Sequence, residues 1–402
     1  MPASSAKRPE SGRAVVIQLA RLGDLIQSLP AIAALKGRDV ERNLSLLCAS
    51  PLASVAARFP GIDHVIPWAG AYWHRWAAQA GPIQPRVEEA RSYLEGLMPM
   101  TYARAYNLNQ HPRAVLLSTL IAARVMGPGE KGPLDRGGPP WAAYVRAVAT
   151  ERGQNRVHLA DALCGFCGAR PLGVSLRLSC PSVSLPEDLS AIGQEEGAWV
   201  ALIVGAGDCE RCVPLIRWSE WIVRFLERHA AGRVVLIGSG NEREGGRAIQ
   251  DHIPSLVLGR VWDATGRTTL EQLMVILARC QWVVGADTGP LHLGAAMGAR
   301  ALGFYFARAR VHETGPYGEG HWVWQAESGT ADECPISESV DVVLSDRVSA
   351  TDSQRWTLWQ SHLDQWGAYY THPGSPNPDQ QRERTWQQLH QSEFPQTTHE
   401  YV

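Results

Sequence analysis

Val283-Val284-Gly285-Ala286-Asp287-Thr288-Gly289-Pro290-Leu291-His292 is the stretch whose reading decides the fold. A short apolar, β-branched run ends in a polar glycine turn, and a helical pattern begins at once. That is a strand, a turn and a helix, the place where open α/β sheets put ligands and where free helix N–H groups hold anions. A second such place lies near the other end of the chain: Leu19-Ala20-Arg21-Leu22-Gly23-Asp24-Leu25-Ile26-Gln27-Ser28-Leu29-Pro30 follows the apolar run Ala14 to Leu19. Two such turns in one chain predict two nucleotide-fold domains facing each other.

Working outward, strands and helices alternate on both sides of these turns, the mark of a doubly wound parallel sheet. Asn43 to Ala49, His64 to Pro67 and Ala103 to Asn107 read as strands of the first half. Trp199 to Val204, Arg233 to Ile237, Leu256 to Leu258 and Ala301 to Phe306 read as strands of the second. Tyr72 to Met98 is less regular, Gly127 to Pro140 is a glycine- and proline-dense loop, and Pro171 to Pro186 reads as the hinge. The expected layout is a first Rossmann-like domain over 13–180, a second over 181–345, and a tail over 346–402. Trp356, Trp359, Leu363 and Trp366 fall at i, i+3, i+7 and i+10, which predicts one face of an amphipathic helix. The residues beyond Pro378 are rich in glutamine, histidine and threonine and predict a polar tail that is partly disordered.

The bulk composition fits this. The chain has 402 residues, 45% of them hydrophobic and 19% charged, which suits two soluble domains rather than one core. A net charge of −2 gives no ground for nucleic-acid binding. Only Lys7, Lys36 and Lys131 are lysines, so an anionic ligand would be held by guanidinium forks and backbone amides. A GC-rich coding bias explains the same preference. Met1 to Arg13 is polar and unlike a secretory signal, and the apolar stretch Ala114 to Met126 is too short to span a bilayer. The expectation is a cytoplasmic protein with peripheral contact at the inner membrane. Eight cysteines in such a protein argue against disulfides. Cys164/Cys167 and Cys209/Cys212 have CxxC spacing, but the pairs are far apart in sequence. Buried or incidental thiols are preferred to a shared four-thiolate site.

Asp24 stands at the first turn of a helix beyond a strand end. Position alone supports a general base and a helix N-cap equally. Gly23 permits close backbone approach or a positive φ. Thr288 and Gly289 offer N–H groups to an anion, with Asp287 as a cap and His292 one turn further on. Gly205-Ala206-Gly207-Asp208, leading to Arg217, is a candidate diphosphate cradle. Gly238-Ser239-Gly240-Asn241-Glu242 lacks the third glycine of a dinucleotide fingerprint. Glu242 would hold a ribose or cap its helix.

These residues together resemble glycosyltransferase family 9, the ADP-heptose:lipopolysaccharide heptosyltransferases. Arg21-Leu22-Gly23-Asp24 with Leu29-Pro30 and Leu35 is similar to that family's first motif. Asp287-Thr288-Gly289 with His292 and Ala295-Ala296 is similar to its second, and Gly315-Pro316-Tyr317-Gly318 to the turn that follows. The resemblance runs from about Val15 to Trp324. It implies a GT-B fold, an acceptor on the first domain, a sugar nucleotide on the second, and a C-terminal helical tail crossing back to the first. It implies inverting transfer with no cofactor and no metal. Asp24 matches the catalytic base. Arg217, Glu242, Asp287, Thr288, Gly289 and His292 would bind the donor, and Arg21 and Gly23 form the acceptor-side loop. The expected partners are ADP-heptose and a lipid-linked or other glycan acceptor, with no nucleic acid. A sugar-nucleotide epimerase and a non-catalytic nucleotide-sugar-binding relative are the competing readings.

Overall fold

The computed structural model describes residues 12–38, 43–78, 82–97, 102–132, 139–194, 196–207, 209–345, 355–373 and 380–391. The tail beyond Gln391, the tip of the 127–140 loop and Asp208 lie outside them. The chain folds as two compact units. The first draws its described residues from Met1–Thr150, Asp161–Leu172 and Trp386–Val402; the second from Glu151–Ala160 and Gly173–Thr385.

The first unit is built on five parallel strands: β1 (Arg13–Gln18), β2 (Asn43–Ala49), β3 (His64–Trp68), β4 (Arg104–Asn107) and β5 (Val125–Met126), ordered β3-β2-β1-β4-β5. Val15 and Ile17 sit in the central strand and are wholly buried. They pack with Leu47, Ile66, Ala105, Leu117 and Ile121, which explains the unbroken apolar run: a parallel strand covered on both faces has no polar side. The chain winds from β1 to β3 in one direction, then returns to place β4 on the other flank of β1. The crevice between β1 and β4 is therefore the topological switch point of this unit. Tyr72 to Met98, expected to be irregular, contains two helices, Gly70–Ala78 and Ile83–Leu97. They are tied together by aromatic contacts among Trp68, Trp73, Trp76 and Tyr93 rather than by an aliphatic stripe, so their periodicity was masked.

The second unit carries eight strands: β6 (Ala198–Ile203), β7 (Gly232–Ile237), β8 (Val261–Asp263), β9 (Trp282–Ala286), β10 (Arg300–Tyr305), β11 (Trp322–Ala326), β12 (Trp356–Asp364) and β13 (Gly367–Thr371). Their order is β13-β12-β11-β10-β9-β6-β7-β8. The strands from β8 to β11 are parallel, and the switch point lies between β6 and β9. The helix Leu215–Arg228 presents Trp218, Trp221, Ile222, Phe225 and Leu226 to the sheet at helical spacing. Each such aromatic removes about 150–250 Å² from water, worth roughly 4–6 kcal/mol before entropy is counted.

Two expectations fail here. Leu256 to Leu258 belongs to a short helix, Ser255–Leu258, and the strand follows at Val261–Asp263. The tryptophan stripe Trp356, Trp359, Leu363 and Trp366 is not an amphipathic helix. Trp356 to Asp364 is β12, paired antiparallel with β11 and with β13. Trp356 and Leu358 alternate into the core while Trp359 lies on the other face. The strand-favouring Trp, Thr and Tyr content wins over the coincident helical spacing. Gly367, at φ 98°, makes the tight reversal into β13, and Asp364 Oδ1 accepts from Trp366 N at 2.8 Å. The tail's helix lies later, at Gln380–Gln391. There Trp386 is buried in the first unit against Trp141, with ring centroids 4.3 Å apart. Among the described residues no helix is long and apolar enough to cross a membrane.

Candidate active site

Both turns fall at the switch points. In the first unit the chain leaves β1 through Leu19 to Arg21 and enters the helix Leu22–Gln27. Asp24 is its third residue and half-buried, and its Oδ2 accepts from Arg21 N at 3.2 Å. The carboxylate thus closes a capping box from inside the first turn, and it sits where the helix dipole favours negative charge. Gly23 has helical backbone, so a positive φ is not its role. Arg21 is exposed beside it.

Two polar side chains that the sequence reading missed, Asn109 and Gln18, hold this loop, and a third, Asn107, holds Asn109 through its Oδ1. Asn109 Oδ1 accepts from Leu19 N at 3.2 Å, and Asn109 Nδ2 donates to Ile17 O at 2.7 Å. Gln18 Oε1 accepts from Ala20 N, and its Nε2 donates to Asp24 O. Buried Asn107 donates to Pro128 O at 2.8 Å. The amides Gln18 and Asn107 at the ends of β1 and β4 were the available signal, since an amide buried at a strand end needs partners.

In the second unit β9 delivers Asp287-Thr288 to the N-terminus of the helix Gly289–Met297. Thr288 occupies the cap position with extended backbone and no side-chain cap bond. Pro290 has no N–H, so the donors left at this end are the backbone groups of Thr288 and Gly289. Asp287 does not cap the helix. Its Oδ1 accepts from His292 Nε2 at 3.2 Å, and its Oδ2 from Thr314 Oγ1 at 3.4 Å. A carboxylate only accepts, so the proton of this His292 bond is on Nε2.

The cation beside this turn is Arg211, from the loop after β6. Its Nη1 donates to Asp287 O at 3.1 Å and lies 4.0 Å from Asp287 Oδ2. Arg217 has a different place. Its guanidinium bonds Glu220 Oε2 at 2.5 Å and the carbonyl of Cys334 at 2.8 Å. Nothing in the periodicity separates the two arginines; only the loop's path does. Glu242 accepts from Ser239 N at 2.6 Å in a capping box, and a Cβ on Gly205 would stand 2.6 Å from Glu242 Cγ. The loops after β6 and β7 therefore pack closely.

The surroundings of Asp287 are polar and buried. Burial, then the Asp287 charge, pushes the Tyr305 hydroxyl well above its ordinary pKa, so it stays a donor, to Thr314 O at 2.8 Å. Burial raises the Glu313 carboxyl, opposed by Arg152 at 3.5 Å. On the β8 side a cavity of about 570 Å³ is lined by Arg243, Arg247, Asp263, Thr265 and Arg267 with Asp188. Arg267 is paired with Asp188 there.

Cys164 and Cys167 are buried in the first unit, where burial followed by Asp161 pushes the Cys164 thiol well up. Cys212 lies in the second, with Ala206 N donating to its sulfur at 3.3 Å. The Cys209 side chain lies outside the described residues. Among those residues no group of three or more metal-ligating side chains comes together.

Of the two Rossmann-like units, one carries the Asp287 turn at a helix N-terminus and the other a half-buried carboxylate in the first turn of a helix. The sequence profile of glycosyltransferase family 9 (heptosyltransferase) matches residues 94–339, and the chain belongs to that family. Lipopolysaccharide heptosyltransferase 2 of Salmonella typhimurium strain LT2 is 28% identical over 95 residues. That stretch is 23% of this chain and 27% of the relative, well short of its full length. In three dimensions the chain is similar to the ADP-heptose lipopolysaccharide heptosyltransferase II of E. coli, with a TM-score of 0.61 and 17% identity, covering 83% of this chain and 98% of that one. It is similar also to the E. coli heptosyltransferase WaaC with ADP, at 0.62 and 18%, covering 83% and 100%. At these identities the likeness establishes the fold, GT-B, as the sequence implied.

Proposed function

We propose that the protein is an inverting heptosyltransferase that moves a heptose from ADP-heptose to a lipopolysaccharide-core or related glycan acceptor. The observation that carries the reading is the Asp287 turn. It combines the N–H groups of Thr288 and Gly289 at a helix N-terminus with the Arg211 guanidinium beside them. Such a group of donors suits a diphosphate, which needs charge and directed hydrogen bonds together.

In this reading the diphosphate of the donor lies on Thr288, Gly289 and Arg211, and Asp287 with His292 fixes the turn. An acceptor hydroxyl oxygen attacks the anomeric carbon from the face opposite the diphosphate. A new carbon–oxygen bond forms as the bond to phosphate breaks, and that electron pair leaves with ADP. Asp24 takes the hydroxyl proton. A positioned base is worth about 10²–10⁴-fold in rate, and donors on the leaving group stabilise the charge that grows there. The choice of ADP and heptose rests on the family likeness. The protein's place is the cytoplasm, with peripheral contact at the inner membrane where a lipid-linked acceptor is presented.

Incubation with ADP-heptose and a deacylated core oligosaccharide tests this, with ADP release and the anomeric configuration of the product read by NMR. The reading expects acceptor-dependent release and an inverted product. Isomerised sugar nucleotide without acceptor would move the protein to the epimerases, and a retained configuration would remove the single-displacement mechanism.

A further inference from the structure

Three consecutive carbonyls next to the Asp287 turn are each held by a different buried ring. Tyr305 Oη donates to Thr314 O at 2.8 Å. His158 Nε2 donates to Gly315 O at 2.9 Å, and Tyr370 Oη to Pro316 O at 3.1 Å. All three rings are at most 4% exposed. The roles at His158 follow from its other nitrogen, since Nδ1 accepts from Ala160 N at 3.1 Å and the proton is on Nε2. Burial lowers the His158 pKa to about 4, so the ring keeps this neutral form. The fit leaves no slack: a Cβ on Gly315 would lie 2.2 Å from Tyr370 Oη. His158 also meets Tyr317 edge-on and lies parallel to Tyr370.

The held segment leads to the anion turn through one residue. Thr314 has its carbonyl fixed by Tyr305 and donates its hydroxyl to Asp287 Oδ2. Asp287 in turn takes Arg211 on its carbonyl and His292 on its other oxygen. The rings come from three distant parts of the chain. His158 lies in the short segment Glu151–Ala160 that joins the second unit. Tyr370 lies on β13, beyond residue 339 where the family match ends.

We propose that Tyr305, His158 and Tyr370 form a clamp that sets Thr314 against Asp287, making His158 and Tyr370 positioning residues for the donor diphosphate. The β12–β13 hairpin is then part of the donor site's support and not an appendage to the sheet. The proposal rests on the Asp287 turn being that donor site. A buried carbonyl that loses its donor moves toward other partners, and a site held only through hydrogen bonds follows such shifts.

Calorimetric titration of the full chain with ADP tests it, together with donor KM and kcat. Tyr370→Phe keeps the ring and removes the bond to Pro316 O, His158→Ala removes the imidazole's bonds with Gly315 O and Ala160 N, and His158→Gln restores a donor near the Nε2 position. The expected result is ADP binding weakened about 3- to 10-fold in Tyr370→Phe and His158→Ala, with recovery in His158→Gln. Donor KM rises with it, while kcat at saturating donor changes less. Arg211→Ala serves as the control. If it weakens ADP binding while Tyr370→Phe and His158→Ala stay within about twofold of wild type, the clamp proposal is overturned even where melting temperatures fall. If His158→Ala does not fold, Tyr370→Phe decides alone. If the wild-type chain binds no ADP, the donor-site reading fails first, a result distinct from failure of the clamp.

Discussion

Replacing Asp24 by asparagine separates chemistry from folding. In the structure the carboxylate accepts from Arg21 N at 3.2 Å and sits in the first turn of Leu22–Gln27. An asparagine Oδ1 can accept the same N–H, so the capping bond survives in Asp24→Asn. What is lost structurally is a negative charge near a helix N-terminus, worth about 0.3–1 kcal/mol. Asp24→Ala loses the capping bond as well, a further cost of about 0.5–2 kcal/mol. The catalytic loss should be the same in both, about 10²–10⁴-fold in kcat, or roughly 3–5 kcal/mol in the barrier. Single-turnover transfer with saturating donor and acceptor, alongside urea unfolding, gives both numbers. Both variants should be nearly inactive, Asp24→Asn should stay close to wild type in stability, and ADP affinity should not move in either. Transfer by Asp24→Asn within about tenfold of wild type would refute the base assignment and leave Asp24 with helix capping, a role asparagine also fills.

Other outcomes follow from the same geometry. Arg211→Ala should weaken ADP binding by about 10- to 100-fold, the worth of a charge-assisted bond, measured by calorimetry. Arg217→Ala should leave ADP binding nearly unchanged but lower stability, since its partners are Glu220 and the Cys334 carbonyl; the reverse ranking would restore Arg217 to the anion site. Stability should fall as pH drops from about 6.5 toward 4. His158 and His321 are buried and their pKa values are lowered to about 4, so between these values the unfolded chain binds protons that the native one does not. Above about 6.5 both states are neutral at these sites and the slope disappears. Urea midpoints across this range check it, and His321→Gln should flatten the curve.

Much of this architecture is legible in the sequence because the physics there is local. Val15, Val16 and Ile17, like Val283 and Val284, form β-branched apolar runs that suit a parallel strand covered on both faces, and the glycine turns after them mark the switch points. The tryptophan stripe misleads because Trp356, Trp359, Leu363 and Trp366 satisfy a helical period while Trp356 and Leu358 satisfy alternation. The tie was open to decision by Asp364-Gln365-Trp366-Gly367, a reversal that no helix contains. The choice between Arg211 and Arg217 is not local at all. Both follow the same strand, and only the fold of the loop brings one to Asp287. Asn109 escaped for the same reason, since its partners Leu19 and Ile17 lie 90 and 92 residues away in sequence.

The most direct test of the central claim is thermal stabilisation of the purified chain by ADP, UDP, GDP and CDP. A ligand that binds only the native state at about 100 times its Kd adds roughly 2.7 kcal/mol, a clear rise in melting temperature. The account predicts a selective rise with ADP, reduced in Arg211→Ala and retained in Asp24→Asn. No rise with any of the four diphosphates would contradict it.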